Sequence, residues 1–484
     1  MRHLTADSRL VGPGALFAGL RGVAAHGADF APQALEKGAA AVLTDLEGAL
    51  RIRAELGGWP APILVVAEPR RVWAEVAARF FAAQPDTLVA VTGTNGKTSV
   101  AAFTAQIWAA LDHVCAALGT TGVATHNLPE GRWSETLAHT TPEPVALQGV
   151  LSRLAAAGVT HAAMEASSHG LAQHRLAGAR LAAGAFTNLS RDHLDYHRDA
   201  HDYAAAKLSL FAERVVEAGA AVINADDPLY PAARDIARAR GLDVISYGRA
   251  AEAGGLRLLA QDAHMGGQRL RIGWGEETRV IELPLVGAFQ GWNALAAAGL
   301  AVAAGADAGA ALDALAGLKG VRGRMELVAR RANGAGVFVD YAHTPDALAV
   351  ALAAIRPHTP GRVHVAFGAG GDRYPGKRPL MGAAAATGAD VVVVTDDNPR
   401  TEDPAEIRAQ ILAGAPGAAE IGDRAEAILR AVDALEAGDA LLLAGKGHET
   451  GQTVGAETYP FDDAEQARAS AAALDGEDAT LYGV

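Results

Sequence analysis

The chain has 484 residues, half of them hydrophobic and 20% charged, with a net charge of −13 and a single cysteine, Cys115. This composition excludes a disordered chain. An acidic chain without a basic block argues against a nucleic-acid partner, and one cysteine rules out an intramolecular disulfide or a cysteine-based metal site. The length suits two to four domains. Residues 1–8 lack the apolar run of a signal peptide, and no uncharged apolar stretch reaches the about 18 residues of a membrane span. A cytoplasmic location and a monomer are expected.

Residues 1–86 read as a small α/β unit. Strands are expected at 14–20, 40–44 and 63–66 and helices at 30–38 and 72–82, with Gln84-Pro85-Asp86 as a linker. Residues 87–320 read as a central α/β domain. The apolar strand 88–91 runs into Gly93-Thr94-Asn95-Gly96-Lys97-Thr98 and then a helix over 100–111. Strand, glycine loop, Lys-Thr and helix form the phosphate-cradling arrangement, although two residues separate the glycines where the common phosphate loop has four. Loop N–H groups would face anionic oxygens, Lys97 would reach the β/γ-phosphates, and Thr98 would bind Mg²⁺. Further strands are expected at 162–164, 183–187 and 221–223. Strands alternating with helices imply a mostly parallel sheet, which binds ligands at the carboxyl ends of its strands.

Glu165, directly after one of these strands, suits a Mg²⁺ ligand, and the alternative is a capping or solvated carboxylate. Ser167, Ser168, His169, Gln173 and Arg175 form a polar cluster, read either as donors for an anionic second substrate or as a surface loop. The run 188–197 is dense in ionisable groups. Assistance at a second Mg²⁺ is favoured there over zinc on His193, Asp195 and His197, whose spacing matches no zinc motif; a hydrated loop is the plain alternative. Lys207 lies in a helical stretch, and composition alone makes it a surface lysine.

Residues 321–484 read as a Rossmann-like α/β unit with strands at 337–339, 363–367, 391–394 and 440–443, each ending in a polar cluster. No GxGxxG fingerprint follows a strand, so a nicotinamide cofactor is not indicated. Asp340 and His343 bracket a turn that fits either a nucleotide edge or a helix cap. Gly370-Gly371-Asp372-Arg373 and Asp397-Asn398-Pro399-Arg400 place two arginines on strand-end loops. Arginine pairs bidentately with carboxylates, so these two suit an amino-acid ligand, with Glu449 receiving its ammonium. Surface salt bridging is the alternative.

Together these runs resemble the Mur ligase family over nearly the whole chain. They are Asp7-Ser8-Arg9, the 93–98 loop, Glu165-Ala166-Ser167-Ser168-His169-Gly170-Leu171, residues 187–197, Gly323-Arg324-Met325-Glu326, residues 340–346, residues 397–400, and Gly445-Lys446-Gly447-His448-Glu449. The resemblance implies three domains: 1–86 binding the UDP-sugar, a central P-loop-type ATPase domain over 87–320, and an amino-acid-binding Rossmann-like domain over 321–484. It implies an ATP-dependent ligase that adds meso-diaminopimelate to the D-glutamate of UDP-MurNAc-L-Ala-D-Glu through an acyl phosphate, with ATP and Mg²⁺. Lys97, Lys207, His193 and His343 take catalytic roles in that picture. Gly93, Thr94, Asn95, Gly96, Lys97, Thr98, Asn293, Arg324 and Asp340 contact ATP. Ser8, Thr140, Thr141, Ser167, Gln173 and Arg175 contact the UDP-MurNAc-dipeptide. Thr98, Glu165 and His193 bind metal, and Lys207 aligns with a lysine carbamylated in the family. Arg373, Asp397, Asn398, Pro399, Arg400, Gly445 and Glu449 face diaminopimelate.

The sequence departs from the family at Ser99, Ala369 and Tyr374-Pro375; the last pair bears on amino-acid specificity. Three alternatives stand beside this picture. One is the same ligation with L-lysine, the second a folylpolyglutamate synthetase-like ligase, and the third a nucleotide-switched binding protein. A degenerate scaffold is disfavoured by the presence of Lys97, Thr98, Glu165 and His193.

Overall fold

The computed structural model describes residues 2–22, 24–59, 61–190 and 196–476. The chain divides into two compact units, Met1–Gly255 with Ala296–Ala311, and Leu256–Leu295 with Leu312–Val484.

The first unit holds two sheets. Strands His3–Thr5, Ala15–Ala18, Ala41–Thr44 and Ile63–Val65 form a four-stranded parallel sheet in chain order. Phe17, Val42 and Ile52 pack on one of its faces and Leu16, Leu43 and Trp73 on the other. The expected helices are Ala31–Glu36 and Pro69–Phe81. Strand His3–Thr5 and helix Leu46–Leu56 were not expected. Asp45 caps that helix by accepting from Gly48 N, and Gly57 ends it in the left-handed region at φ 65°, a conformation that favours glycine. Gln84, in the expected linker, is buried, and its amide donates to Gln148 Oε1 at 2.9 Å and Gly178 O at 2.8 Å.

The central sheet of this unit contains six parallel strands in the order Asp243–Gly248, Val215–Asn224, Leu181–Phe186, Thr87–Thr92, His161–Glu165 and Cys115–Gly119. Antiparallel strands Gly122–His126 and Ser134–Glu135 follow. Continuous apolar runs such as Leu88–Val89–Ala90–Val91 are buried, as a sheet covered on both faces requires. Cys115 is buried in this sheet, and burial pushes its thiol up to about 12, so it is an inert core residue.

Register decides what meets at the carboxyl edge. Thr92 pairs with Phe186 and Val91 with Glu165, while Leu118 pairs with Met164. Gly93 therefore emerges beside Thr187, and Gly119 beside Glu165.

The second unit contains an antiparallel meander, Leu256–His264, Gly267–Trp274 and Glu277–Leu283, and a six-stranded sheet. The order in that sheet is Glu326–Arg330, Gly336–Asp340, Ala440–Ala444, Val363–Phe367, Val391–Val394 and Ala419–Glu420; the first strand is antiparallel and the rest parallel. Alternate residues feed two cores. Phe338, Leu442 and Val365 face one side, and Val337, Val339, Leu441 and Leu443 the other, so the sheet is doubly covered in the Rossmann-like manner expected. The fold is α/β throughout. No helix among the described residues is long and apolar enough to cross a membrane.

At the carboxyl ends of the parallel strands of this unit, where Arg424 also donates to Ala444 O and Asp396 O, Arg424 and Asp463 form a bidentate pair at 2.7 and 2.6 Å, both almost fully buried. Removing one partner strands a buried charge, which costs about 3–5 kcal/mol. Asp463→Ala is expected to lower the free energy of unfolding by that amount. Arg153→Ala, which breaks the exposed pair with Glu135, is expected to change stability by about 1 kcal/mol at most. Chemical denaturation of both variants checks this.

Candidate active site

The glycine loop is built by the register just described. Gly93 has φ 149°, and a Cβ there would lie 1.8 Å from Thr187 Oγ1, so only glycine fits. Gly96, at φ 88°, opens the Lys97–Ala110 helix. The loop is laced to the neighbouring strand end. Thr94 N donates to Asn188 O at 2.8 Å, Asn95 N to Asn188 Oδ1 at 3.0 Å, and Thr187 Oγ1 to Asn95 O at 2.6 Å. Lys97 Nζ donates to Gly93 O at 2.9 Å and Thr94 O at 2.8 Å. Thr98 is buried in the first turn of the helix. A fixed loop with a helix N-terminus behind it is an anion site.

Glu165 ends its strand buried. Its Oε1 accepts from Thr120 N at 2.7 Å and its Oε2 from Thr120 Oγ1 at 3.3 Å. Thr140 joins the chain through Thr120 Oγ1 at 3.0 Å. Gly119 makes room, since a Cβ there would lie 2.0 Å from Glu165 Oε1. The donors Thr98 and Glu165 are hard oxygens, which fit Mg²⁺. Among the described residues no three His, Cys, Asp or Glu side chains cluster as a metal site. Oxygen donors of this kind suit an ion that keeps water and substrate phosphates as its other ligands. His193, with Asp192 and Asp195, lies outside the described residues.

Next to Glu165, Thr141 Oγ1 donates to Glu165 O and accepts from Ser167 N, both at 2.9 Å. Ser167 caps the short Ser168–Ala172 helix by accepting from Gly170 N. Arg175 donates to Thr141 O at 2.7 Å and to Gln173 Oε1 at 2.9 Å, and pairs with Glu143 at 2.6 Å. Gln173 donates to Tyr196 OH at 3.1 Å. Thr140, Thr141, Ser167, Gln173 and Arg175 thus form one connected polar strip. Ser8 lies apart in the N-terminal sheet region, with its hydroxyl donating to Gln33 Oε1 at 2.8 Å. Beside it, hydrogen bonds from Arg9 hold the Asp7 carboxyl down to about 2.

In the second unit, Asp340 ends its strand with Oδ2 accepting from Met325 N at 2.8 Å and Oδ1 from Ala342 N at 2.9 Å. Burial raises its pKa, and the nearby Arg324 guanidinium opposes that rise. Arg324 stacks over the Tyr341 ring at 4.9 Å. His343 is exposed, and its Nδ1 lies 2.8 Å from Tyr341 O. Asn293 is buried and donates to Gln290 Oε1 at 3.0 Å.

Arg400 sits at φ 51° and donates from Nη1 to Gly371 O at 2.8 Å. Arg373 is exposed on the same loop region. Lys377 Nζ donates to His343 O at 2.9 Å. Burial lowers the pKa of this lysine; Asp397 opposes the shift, and Arg373, Arg378 and Arg400 add to it. Asp397 and Asn398 are buried, with Asn398 Nδ2 donating to Glu449 Oε2 at 2.8 Å. Gly445, at φ 113°, is bare because a Cβ would lie 2.6 Å from Asp397 Oδ2.

Family profiles match this arrangement in three blocks: the Mur ligase family catalytic domain over residues 1–81, the Mur ligase middle domain over 91–301, and the Mur ligase glutamate ligase domain over 323–447. A protein of Bradyrhizobium diazoefficiens named UDP-N-acetylmuramoyl-L-alanyl-D-glutamate–2,6-diaminopimelate ligase is 52% identical, over 96% of this chain and 94% of its own. The chain belongs to the Mur ligase family. A relative of the same name from Brucella melitensis is 52% identical over 98% of this chain and 94% of its own. A solved structure with that name is 34% identical at a TM-score of 0.73, covering 98% of this chain and 95% of that one.

One expectation for this Mur ligase is overturned. Lys207 is not a surface lysine. It is 1% exposed, its Nζ donates to Gly93 O at 2.7 Å, and it lies 4.4 Å from the centre of the Tyr203 ring. Local composition carries no information about a carbonyl 114 residues away. The sequence reading also missed Thr120, which holds Glu165, and Tyr203, whose hydroxyl lies 3.2 Å from Thr94 Oγ1. It missed Lys377 and the fully buried Lys446 as well. Only Lys446 carried a signal, being a lysine set between two glycines at a strand end.

Gly119→Ala is expected to expel the Glu165 carboxylate from its seat on Thr120. The expected result is a rise of about tenfold or more in the Mg²⁺ concentration needed for half-maximal ATP turnover, the scale of loss when support of a ligand is removed. Magnesium titration of ATP turnover by the variant checks this, and an unchanged midpoint contradicts it.

Proposed function

We propose that this chain is an ATP-dependent amide ligase joining meso-diaminopimelate to the D-glutamate of UDP-MurNAc-L-Ala-D-Glu in peptidoglycan precursor synthesis, acting in the cytoplasm as a monomer. The observation that carries this reading is the 52% identity, across nearly the full length, to a relative named for that reaction. The glycine loop laced to Asn188 supports it as a polyphosphate site, and the arginine-bearing loops at 373 and 400 support a ligand with carboxylates. Residues 1–86 would bind the UDP-sugar, 87–320 ATP, and 321–484 the amino acid.

The γ-phosphoryl group of ATP passes to the side-chain carboxylate of D-glutamate, giving an acyl phosphate and ADP. An amine of diaminopimelate then attacks the acyl carbon, an amide forms, phosphate leaves, and the nitrogen gives up its proton. Phosphoryl transfer of this kind asks the protein for positioning and charge neutralisation. The loop N–H groups and Lys97 would supply both, while Asn293, Arg324 and Asp340 would fix the nucleoside end. Mg²⁺ would be held by Thr98 and Glu165 with His193, and would offset charge on the phosphates. Thr140, Thr141, Ser167, Gln173 and Arg175 would orient the dipeptide, and Ser8 the uridine. Lys207 would act as a carbamate, and His343 would work at the nucleotide edge. Arg373 and Arg400 would hold the distal carboxylate of diaminopimelate.

Phosphate release from MgATP and UDP-MurNAc-L-Ala-D-Glu is expected to depend on meso-diaminopimelate and not on L-lysine. Lys97→Ala is expected to abolish it. Release with lysine alone discards the arginine reading, and release without any amino acid discards the ligase. Lys207→Ala is expected to lose activity and to recover part of it with short carboxylic acids; no recovery by the folded variant contradicts the carbamate.

A further inference from the structure

Lys446 is 0% exposed. A buried ammonium is tolerated only when its donors are met, and Lys446 Nζ has three acceptors for three hydrogens. These are Gly451 O at 2.5 Å, Asn398 Oδ1 at 3.1 Å and Glu449 Oε2 at 3.4 Å. The flanking glycines let the lysine reach them. A Cβ on Gly445 would strike Asp397, and one on Gly447, at φ 55°, would lie 2.7 Å from Tyr341 Cβ.

The consequence falls on Asn398. Its Oδ1 accepts from Lys446 Nζ and from Thr453 N at 2.9 Å. With the oxygen so placed, the amide nitrogen is turned to Glu449 Oε2 at 2.8 Å. Glu449 is thereby gripped through one oxygen by two donors, Asn398 Nδ2 and Lys446 Nζ. Its side chain remains 34% exposed, and the described residues offer no partner to Oε1. A carboxylate fixed through one oxygen and open at the other is a preformed acceptor for an ammonium group.

We propose that Lys446 is a positioning residue for amino-acid binding: it orients Asn398 and Glu449 so that the free oxygen of Glu449 receives the non-reacting ammonium of the diamino acid. This rests on the ligase reading above and adds to it a residue that does not touch the substrate. Lys446 also forms an ion pair with the Glu449 carboxylate. Without it, Asn398 is free to flip and Glu449 to swing away.

The test is steady-state phosphate release by the full chain with Lys446→Met, of similar length but without donors, and Lys446→Gln, which keeps a shorter donor. Lys446→Met is expected to raise KM for meso-diaminopimelate about tenfold or more, the scale of losing partners to a buried charge. KM for ATP and for the UDP-dipeptide should stay within about twofold, the mark of a loss confined to one substrate. Lys446→Gln should fall between. In a Glu449→Gln background, Lys446→Met should add little, because the acceptor it positions is already gone. Unchanged KM for diaminopimelate in either folded variant, or equal rises for all three substrates, overturns the proposal. So does failure of both variants to fold, which assigns Lys446 to stability alone. Wild-type chain without diaminopimelate-dependent release removes the ligase reading and this one with it; wild-type dependence with flat variant KM removes the Lys446 role alone.

Discussion

The closeness of Gly93 to Thr187 sets the rest of the first unit. Parallel pairing brings Thr92 level with Phe186, so the two chains leave the sheet side by side. The gap between them is too small for a Cβ. Loop N–H and C=O groups at such an edge have no ladder partner and must find one elsewhere. Here the next strand end supplies it, through Thr187 and Asn188. The loop conformation is therefore imposed by the sheet, and the helix that follows is aimed by it. Glu165 is placed by the same logic on the other side, since the register sets it against Gly119.

The second unit repeats the constraint with different chemistry. Phe367 pairs with both Val394 and Ala444, so three strand ends emerge together. Added Cβ atoms would lie 2.4 Å from Thr395 O at Gly368, 1.9 Å from Pro399 O at Gly371 and 2.6 Å from Asp397 Oδ2 at Gly445. Glycines recur at these edges because backbones approach there without room for side chains. Close approach in turn lets Asn398 share hydrogen bonds with Lys446 and Glu449, some 50 residues on in sequence.

This explains what was legible in the sequence. Short β-branched runs such as 363–367 and 391–394 declare buried strands, because a doubly covered sheet needs apolar residues on both faces. Glycine loops after them declare the edge. The meander over 256–283 went unread, although its turns at Gly267 and Gly275 have positive φ and its strands alternate in part, with Leu270, Ile272, Ile281 and Leu283 buried. His3–Thr5 is short, and its polar character hid its pairing with Ala15–Ala18. The site residues divide in the same way. Those inside dense motifs could be named from sequence, while Thr120 and Tyr203 act through partners fixed only by tertiary register.

The lysines carry the point furthest. Lys97, Lys207 and Lys446 are alike to any composition argument, and each is placed by backbone carbonyls. Lys97 and Lys207 both donate to Gly93 O, at 2.9 and 2.7 Å, although one begins the loop's own helix and the other comes from the Ala200–Ser209 helix. Two ammonium groups sharing one carbonyl concentrate positive charge at the mouth of the glycine loop. In a partly desolvated edge that charge acts over short distances with little screening. It favours an anion at the loop. Lys446 meets a different demand, drawing Gly451 O, Asn398 Oδ1 and one carboxylate oxygen of Glu449 together behind the second edge.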